Sequence, residues 1–433
     1  MTPSARLAGS IDLLTAIDAT PRRPADATAN DFFRARRYIG SGDRRAVSDR
    51  VWKVLRAKYR LSWWLKRMEA GATPRLLVAA SLLLEGWTYS GVDQAFSGGQ
   101  FGPEPLIDVE RRALKKFENH TLDHPDQPPH VRLEIPEWIY PYFAQRFGER
   151  LEQEARNFGE PAPLDLRVNL LQTTRDQARA VLAGEGITAE DTRLSPFGLR
   201  IPERRAVTTG PAFQAGLVEI QDEGSQLVAL LCDVKPGMRV LDWCAGAGGK
   251  TLALAMMMEN KGQIVAADVS VPRLEGAVRR LRRAGVHNVE RHLSGEAGDK
   301  WAKRRAKSFD RVLVDAPCTG TGTWRRNPDA RFRLMPVDLE ELQVKQAAIL
   351  QTASSFVKPG GRLIYATCSI LSEENSAQIE RFLAANLDFE LVPVEEIAVV
   401  PKGAVGDGPY LSLTPLTHGT DGFFGAVMAR KAG

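Results

Sequence analysis

The chain has 433 residues, of which 43% are hydrophobic and 26% are charged, so its composition is that of a folded globular protein rather than a disordered one. Its formal net charge of +5 favours a polyanionic partner, and its four cysteines show neither the density of a disulfide framework nor the paired spacing of a zinc site. The cysteine spacing therefore also predicts that the protein holds no metal ion. The longest apolar stretch, residues 76–84, is too short to cross a bilayer, and no secretory signal pattern opens the chain. We therefore expect a cytoplasmic protein without a membrane span.

The first part of the chain is predicted to be helical and basic. Apolar residues at helical spacing predict an amphipathic helix within residues 1–18, and residues 21–30 are predicted to form a loop because they are rich in Pro, Ala, Asp and Thr. Between residues 31 and 67, twelve arginines and lysines oppose three aspartates, and seven aromatic residues are interleaved with them. Each single aromatic is expected to pack in a helical core, whereas the region as a whole is predicted to contact nucleic-acid phosphates.

A shorter α/β module is predicted to follow a linker. Residues 120–130 are rich in Pro and Asp and are predicted to be that linker. A helix is expected over 136–147, a strand over 164–171 and a helix over 173–184, capped by Thr173 or Thr174. Leucine and valine alternate along the strand, which predicts one buried face, with Arg167 and Asn169 pointing the other way.

From residue 238 the sequence has the plan of a nucleotide-binding βαβ unit. An apolar strand ends in the loop Cys-Ala-Gly-Ala-Gly-Gly-Lys (244–250), a helical pattern follows over 251–258, and a second strand over 263–268 ends in Asp268. Gly246, Gly248 and Gly249 let the backbone approach a ligand where a Cβ would clash, and Asp268 lies where a carboxylate binds ribose hydroxyls. A glycine loop also occurs in ordinary turns, so the assignment depends on what the neighbouring strands carry.

Two further apolar strands end in chemically reactive residues. Residues 309–318 deliver Asp315, Pro317 and Cys318, and residues 360–369 deliver Thr367 and Cys368. Because ligands of open parallel sheets lie beyond the carboxyl ends of the strands, one sheet edge is predicted to hold a nucleotide-like cofactor, an acid and two thiols. A single cysteine usually packs as a small hydrophobe, which is the expectation for Cys232.

Three other stretches carry weaker signals. The helix after Ser270 has five arginines, which predict a solvated face or, alternatively, an RNA-facing edge. Arg325 and Arg326 are candidates for phosphate contacts, with residues 327–329 forming a turn beneath them. Residues 414–428 are predicted to supply the closing strands of the sheet.

Five motifs resemble those of a known family. They are Cys-Ala-Gly-Ala-Gly-Gly-Lys (244–250), Asp-Ala-Pro-Cys (315–318), Arg-Arg-Asn-Pro-Asp (325–329), Ala-Thr-Cys-Ser (366–369) and His-Gly-Thr-Asp-Gly-Phe-Phe (418–424). In this order they are similar to the RNA cytosine-C5 methyltransferases of the Sun/Nop type, which use S-adenosylmethionine. The resemblance implies methylation of carbon 5 of a cytosine in RNA. By resemblance to the bacterial members of the family, small-subunit (16S) ribosomal RNA is the expected substrate.

The resemblance also implies a role for each site residue. Carbon 5 of cytosine is a poor nucleophile until a thiolate adds to carbon 6. By resemblance Cys368 is that nucleophile and Cys318 assists release of the methylated product, whereas DNA cytosine-C5 methyltransferases attack from the Pro-Cys position and lack the second cysteine. Asp315 is expected to bond the cytosine edge close to the cofactor, and Lys250 to lie near the target base, where its charge favours a thiolate. The implied cofactor-binding residues are Cys244, Ala245, Gly246, Ala247, Gly248, Gly249, Lys250, Asp268 and Asp315.

We therefore predict a multidomain protein with an all-α N-terminal domain, a small α/β module and a C-terminal Rossmann-like α/β methyltransferase domain. Residues 1–130 resemble, more loosely, the NusB-like RNA-binding domain of bacterial members, residues 131–205 resemble the small RNA-binding module, and residues 206–433 resemble the methyltransferase domain. RNA, in particular small-subunit ribosomal RNA, is the expected partner, and the protein is expected to be a monomer.

Two departures from the family pattern and three alternatives accompany this prediction. Ala247 stands where the family often has proline, and residues 294–296 (Ser-Gly-Glu) stand where it usually has an acid for the adenine amine, so that contact stays unassigned. A nicotinamide-dependent dehydrogenase would use the same βαβ unit but would leave Cys318 and Cys368 without a role. A catalytically silent RNA-binding or ribosome-assembly factor, or a methyltransferase acting on transfer RNA, would also fit the basic front half.

Overall fold

The computed structural model describes residues 1–202, 205–295, 300–406 and 408–432, which fall into two compact units. Unit 1 comprises Met1–Glu160 together with Trp324–Pro336, and unit 2 comprises Pro161–Thr323 together with Val337–Gly433. Residues 131–160 lie in unit 1, and the domain boundaries expected from the sequence stay a prediction.

Unit 1 is built from helices throughout its described secondary structure. Up to residue 160 these are α1 (Pro3–Asp18), α2 (Ala25–Ala35), α3 (Ser41–Arg56), α4 (Lys58–Arg67), α5 (Pro74–Leu84), α6 (Tyr89–Ala95), α7 (Asp108–Lys115), α8 (Pro129–Arg132), α9 (Tyr140–Phe147) and α10 (Leu151–Gly159). Thr2, Thr73 and Thr88 cap α1, α5 and α6, since each side chain accepts a hydrogen bond from the backbone amide three residues on. Helix α5 contributes an unbroken run of buried residues, 76–83, to the core of this unit.

Unit 2 begins with a small antiparallel sheet in the order β2-β3-β1-β4. Its strands are β1 (Leu164–Val168), β2 (Glu190–Asp191), β3 (Gly198–Ile201) and β4 (Val218–Ile220), and its helices are α11 (Arg175–Gly184) and α12 (Pro211–Gln214). Leu166 and Leu199 of the sheet pack with Leu182 of α11 in a separate small core. Thr174 caps α11 in a capping box with Gln177, as the sequence predicted for one of the two threonines.

The rest of unit 2 is a mixed sheet that, within the described residues, has the order β10-β12-β9-β8-β5-β6-β7, with β11 paired to β12. Its strands are β5 (Arg239–Trp243), β6 (Gln263–Asp268), β7 (Val289–Leu293), β8 (Phe309–Asp315), β9 (Val357–Thr367), β10 (Phe389–Val392), β11 (Leu411–Leu413) and β12 (Phe423–Arg430). Its helices are α13 (Glu223–Leu230), α14 (Gly249–Met257), α15 (Val271–Arg283), α16 (Lys300–Arg304), α18 (Pro336–Ser354), α19 (Ser376–Ala385) and α20 (Pro415–His418), whereas α17 (Ala330–Arg333) belongs to unit 1. The five strands β5 to β9 run parallel and β12 runs antiparallel to β9, so the prediction of a Rossmann-like sheet is confirmed.

Successive residues of the central strands enter different cores, which explains their continuous apolar runs. Val240 of β5 packs in a core with residues of α13 and α14, whereas the next residue, Leu241, packs in a core with residues of α18 and α19. When helices cover both faces of a strand, neither face is solvated, so apolar and polar residues do not alternate along it.

Trp324–Pro336, although it follows β8 in sequence, belongs to unit 1. Trp324 is 1% exposed and stacks on Phe143 of α9, with ring centroids 4.9 Å apart. Arg331 of α17 is also buried and donates a hydrogen bond of 2.7 Å to the carbonyl of Phe158, while the Asp329 carboxylate accepts one of 3.0 Å from the backbone amide of Ala25 at the start of α2. Residues more than 160 positions apart thus complete one helical core.

Several local predictions are wrong. Residues 21–30 are not a loop throughout, because α2 begins at Ala25, directly after Pro24 and with Asp26 in its first turn. Residues 120–130 are packed rather than a free linker, since the Trp64 indole donates to the carbonyl of Leu122 at 3.0 Å and Gln127 is 3% exposed. Within 414–428, the first part is the helix α20 and only the part from Phe423 onward is a strand.

In the described part of the chain, none of the helices combines the length and the apolarity that crossing a membrane requires.

Candidate active site

The carboxyl ends of four neighbouring parallel strands, β6, β5, β8 and β9, form the candidate site. Asp268 ends β6, Asp315 ends β8, and Cys368 follows β9 directly. Since the strands are adjacent and parallel, these side chains lie along one edge of the sheet, as the sequence predicted.

The glycine-rich loop after β5 has a backbone that only a few residue types adopt easily. Gly246 and Gly248 have φ of 57° and 78°, and Cys244, which is not a glycine, has φ of 90°. The amides of Cys244 and Ala245 both donate at 2.9 Å to the carbonyl of Ala267 in β6, so the loop is fastened to the neighbouring strand. A Cβ added to Gly246 would meet no atom within 4 Å, which shows that the loop backbone borders open space.

Cys244 is held in that loop as a thiol. Burial and the nearby Asp315 carboxylate raise the pKa of Cys244 to about 12. Its chemical role is therefore not that of a nucleophile at neutral pH.

Asp268 is a buried carboxylate whose two oxygens are fixed by backbone amides. One oxygen accepts from Gly246 and the other from Ser270, each at 2.8 Å, and each keeps a further lone pair for another donor. Val269 and Leu293 lie beside this carboxylate at the ends of β6 and β7 and are 69% and 53% exposed. These two exposed apolar residues were missed from the sequence, although the position of Val269 directly after Asp268 is a usable signal.

The residues that stand in the family's adenine position are only partly described. Ser294 is 8% exposed, and its amide donates at 3.0 Å to the carbonyl of Asp268. Glu296 lies outside the described residues, so the adenine contact stays unassigned.

Asp242, also missed from the sequence, is a fully buried carboxylate in β5. One of its oxygens accepts a 2.6 Å hydrogen bond from the Thr251 hydroxyl in α14, and the other has no hydrogen-bond partner among the described residues. Burial raises the pKa of Asp242 to about 7. The sequence of β5 does not show that the side chain of Asp242 lies inside the core.

Lys250 and Asp315 form a short ion pair at the centre of the site. The Lys250 ammonium lies 2.7 Å from Oδ2 of Asp315 and 5.7 Å from the centre of the Phe423 ring, and the lysine is 9% exposed. Burial lowers the pKa of Lys250, but the Asp315 carboxylate, together with Cys368 and Asp242, outweighs burial, and the pKa lies above its ordinary value. Lys250 therefore stays cationic, and Cys368 is among the groups that feel its charge.

The two predicted cysteines are in contact. Cys318 Sγ and Cys368 Sγ are 3.4 Å apart, and both residues are half-buried. The hydrogen bond to Cys368 and burial raise the pKa of Cys318 well above its ordinary value, so Cys318 stays a thiol at neutral pH, and either sulfur can be the donor of the contact. Cys232, by contrast, is fully buried in a hydrophobic core, as predicted.

Glycine is required at position 322, where the loop after β8 packs against the loop after β9 and against the segment that precedes β12. The Gly322 amide donates at 2.9 Å to the carbonyl of Cys368, and its carbonyl accepts at 2.8 Å from the amide of Gly422. A Cβ on Gly322 would lie 2.1 Å from the carbonyl oxygen of Gly422, which is backbone and cannot move aside easily.

The small sheet supports the glycine loop, which corrects the prediction for β1. Arg167 and Asn169 are 3% and 6% exposed, so the second face of β1 is buried as well as the first. The Arg167 guanidinium donates at 2.8 Å to the carbonyl of Gly249, and burial lowers the pKa of Arg167 to about 10. The Asn169 amide donates at 2.9 Å to the carbonyls of Gly216 and Ala284.

The arginines of α15 are not uniformly solvated. Arg280 donates at 2.7 Å to the carbonyl of Ala247 in the glycine loop, and Arg283 forms an ion pair of 2.6 Å with Glu219 of β4. The predicted solvated face is therefore wrong for these two residues.

The arginines proposed for phosphate contacts lie in the segment that belongs to unit 1. Arg325 is 7% exposed and its carbonyl accepts a 2.7 Å hydrogen bond from Arg56, while Arg326 is half-buried. Phosphate binding there stays a prediction. Among the described residues, no group of three or more His, Cys, Asp or Glu side chains is arranged to hold a metal ion.

Comparison with known proteins gives consistent matches. Residues 229–429 match the model of the 16S rRNA methyltransferase RsmB/F, and residues 135–208 match that of the ferredoxin-like domain of RsmF/B-like methyltransferases. A probable ribosomal RNA small subunit methyltransferase B from Synechocystis sp. is 33% identical over 342 residues, covering 77% of this chain and 76% of the relative. The crystal structure of PH0851 is 25% identical, has a TM-score of 0.79 and covers 99% of both chains. NSun6 from Pyrococcus horikoshii, solved with SFG, is 20% identical with a TM-score of 0.61, covers 69% of this chain and 98% of that one, and shows the shared fold alone.

Proposed function

Since the chain belongs to the RsmB/F (Sun-type) family of 16S ribosomal RNA methyltransferases, we propose that it methylates carbon 5 of a cytosine in small-subunit ribosomal RNA through a covalent cysteine–cytosine adduct. The observation that carries the proposal is the thiol pair, with Cys318 Sγ and Cys368 Sγ 3.4 Å apart at the sheet edge that also holds the Lys250–Asp315 ion pair. A dehydrogenase or a silent RNA-binding factor has no use for two such thiols.

The methyl donor is S-adenosylmethionine, and the residues at the ends of β5, β6 and β8 suit it. Asp268 keeps one lone pair on each carboxylate oxygen, which fits two neighbouring hydroxyl groups of a ribose. The loop backbone at Gly246 borders open space, and the exposed Val269 and Leu293 provide an apolar wall for a flat base. When bound, this cofactor supplies an electrophilic methyl group.

The protein groups divide the work of the reaction. The Cys368 thiolate, stabilised by the cationic Lys250, adds to carbon 6 of the cytosine, and the electron pair of the 5,6 double bond moves to carbon 5. Asp315 accepts a hydrogen bond from the edge of the ring. Carbon 5 uses its electron pair to bond the methyl carbon, while the bond from that carbon to the donor sulfur breaks and its electron pair stays on the donor. The carbon 5 proton is then lost to water and the C–H electron pair re-forms the 5,6 double bond. The bond between carbon 6 and sulfur breaks at the same time, and its electron pair returns to Cys368, where the Cys318 thiol donates a hydrogen bond to it.

RNA must also be held by its backbone, and unit 1 has a surface suited to this. A depression of about 660 Å³ between α2 and α3 is lined by Asn30, Phe33, Arg34, Arg37 and Arg44, without an acidic residue. Clustered arginines release counterions from RNA phosphates, so this surface is proposed to contact the RNA backbone. Of the lining arginines, Arg34 also forms an ion pair of 3.1 Å with Asp31. Later basic residues of the same region are paired within the protein too: Arg50 with Glu85, Lys58 with Asp18, and Arg60 with Glu134.

The proposal is tested with a radiolabelled methyl donor and three RNAs: unmodified 16S ribosomal RNA, 23S ribosomal RNA and transfer RNA. We expect label in 16S RNA only, and bisulfite sequencing of the product should place it at a cytosine. Cys368→Ala should abolish labelling because no thiolate is left to add to carbon 6.

Cys318→Ala separates the covalent mechanism from a direct one. Without the thiol donor the departing Cys368 sulfur is not stabilised, so a protein–RNA complex that survives denaturing electrophoresis should accumulate. Cys232→Ala, which removes a thiol from the core, is the matched control and should label RNA without trapping it. Normal turnover by Cys368→Ala, or label on a purine, would contradict the proposal.

A further inference from the structure

Glu374 is a buried carboxylate that the proposed reaction does not use. It lies six residues after Cys368, at the end of a short helical turn (Ser372–Glu374), and it is 0% exposed. An isolated carboxylate in such a place is strongly disfavoured unless hydrogen-bond donors surround it.

The donors that surround Glu374 come from the loop that carries Cys318. The amide of Thr319, the next residue after Cys318, donates to Oε1 at 2.8 Å, and the Thr319 hydroxyl donates to Oε2. The side-chain amide of Gln346 in α18 donates to Oε1 at 2.9 Å and also lies 3.0 Å from the carbonyl of Pro317, to which it donates. One carboxylate and one amide thus hold the peptide groups on both sides of Cys318.

The same cluster reaches the residues next to Cys368. The Ser369 hydroxyl lies 3.3 Å from that of Thr319 and 3.0 Å from that of Thr321. Asn375, which follows Glu374, donates to the carbonyl of Ser369 at 2.9 Å and accepts from the Thr367 hydroxyl at 2.6 Å. Glu374 and Asn375 therefore connect the backbone of one thiol to the backbone of the other.

The charge of Glu374 acts on Cys318 as well. Burial raises the pKa of Glu374, but its hydrogen bonds oppose that shift and favour the ionised form. The carboxylate is also among the groups that raise the pKa of Cys318, which keeps that thiol protonated.

We infer that Glu374 is a positioning residue that holds the Cys318 thiol against Cys368, so that it is needed for release of the methylated base but not for formation of the adduct. This inference rests on the proposed function. If Glu374 had a purely structural role, its replacement would reduce adduct formation and release of the methylated base together.

The test compares Glu374→Ala and Glu374→Gln with wild type and with Cys318→Ala. We expect Glu374→Ala to accumulate the covalent protein–RNA complex, and its multiple-turnover methylation to fall by about tenfold to a hundredfold, the loss typical of a group misplaced by about 1 Å. The rate at which the first adduct forms should stay at the wild-type value. Glu374→Gln keeps an oxygen for the Thr319 amide, so it should fold like wild type and show a smaller defect of the same kind.

A second measurement needs no RNA and therefore judges the position of Cys318 independently of the reaction. Diamide takes up two hydrogen atoms from a thiol pair, which becomes a disulfide, and its rate reports how closely two sulfurs are held. We expect cross-linking of Cys318 to Cys368 to be slower in Glu374→Ala than in wild type. Glu373→Ala removes the adjacent, partly exposed carboxylate and is the matched control that should leave both measurements unchanged.

The inference would be overturned if Glu374→Ala cross-linked Cys318 to Cys368 at the wild-type rate, or if it lost adduct formation and release to the same extent. If Cys318→Ala itself traps no RNA, the role of Cys318 in the proposed function fails, and the diamide rates still decide whether Glu374 positions that thiol.

Discussion

Asp242 should make the stability of the protein fall as the pH rises toward neutrality. Burial raises the pKa of Asp242 to about 7, whereas the same carboxyl group in the unfolded chain titrates near 3.8. Because the folded pKa is the higher one, the folded state holds an extra proton between these two values, and the free energy of unfolding decreases as the pH rises through that interval. The contribution is fully present below about pH 4 and lost above about pH 7.

The magnitude follows from the size of the shift. A pKa shift of about three units corresponds to about 4 kcal/mol of unfolding free energy, of which roughly 3 kcal/mol is lost between pH 5 and pH 8. Asp242→Asn has no such proton to lose and keeps an oxygen that accepts from the Thr251 hydroxyl. Relative to this variant, wild type should lose about 3 kcal/mol of unfolding free energy between pH 5 and pH 8.

Urea denaturation of both proteins at a series of pH values measures this difference. Asp388→Asn removes a half-exposed carboxylate of the same unit and reports the effect of deleting a charge at the surface. Parallel pH dependences for wild type and Asp242→Asn would refute the reasoning, because they would mean that the buried group titrates normally.

Three further outcomes are expected. Arg37→Glu should weaken 16S RNA binding and reduce the salt dependence of the affinity by about one counterion, as measured by filter binding at several salt concentrations. Arg112 is an exposed arginine on α7, and Arg112→Glu should change the affinity less. Trp324→Ala should destabilise unit 1 by about 3–5 kcal/mol because it empties a fully buried aromatic site, and unchanged thermal unfolding would contradict that burial. Gly322→Ala should lower kcat by about tenfold or more, since its Cβ meets the carbonyl oxygen of Gly422 and must displace the chain next to the thiols; wild-type kcat would show that the two chains separate without cost.

The positions of Asp268, Asp315 and Cys368 at one sheet edge could be predicted because these residues end long apolar strands. The strands that carry Asp268, Asp315 and Cys368 are buried on both faces, so they stand out as continuous hydrophobic runs, and the order of parallel strands then brings their ends to one edge. The contact between Cys318 and Cys368 follows from that geometry.

The errors arise where distant residues decide the environment of a side chain. Alternation along β1 indicated one buried face, but the burial of Arg167 depends on the carbonyl of Gly249, 82 positions later, which no local pattern contains. Glu374 and Asp242 were overlooked for the same reason, since a carboxylate inside a core looks in sequence like a surface residue. The transfer of Trp324–Pro336 into unit 1 likewise has no local signal.

The passage of Trp324–Pro336 into the helical unit has a consequence for biosynthesis. While the ribosome is still translating the strands of unit 2, the first 160 residues have no Trp324 to stack on Phe143 and no Arg331 to donate to Phe158. At the usual speed of translation that wait is roughly ten to thirty seconds, during which an unfinished apolar surface is open to chaperones. The helical unit is thus the first to be started, but its core is completed only after Pro336 has been synthesised.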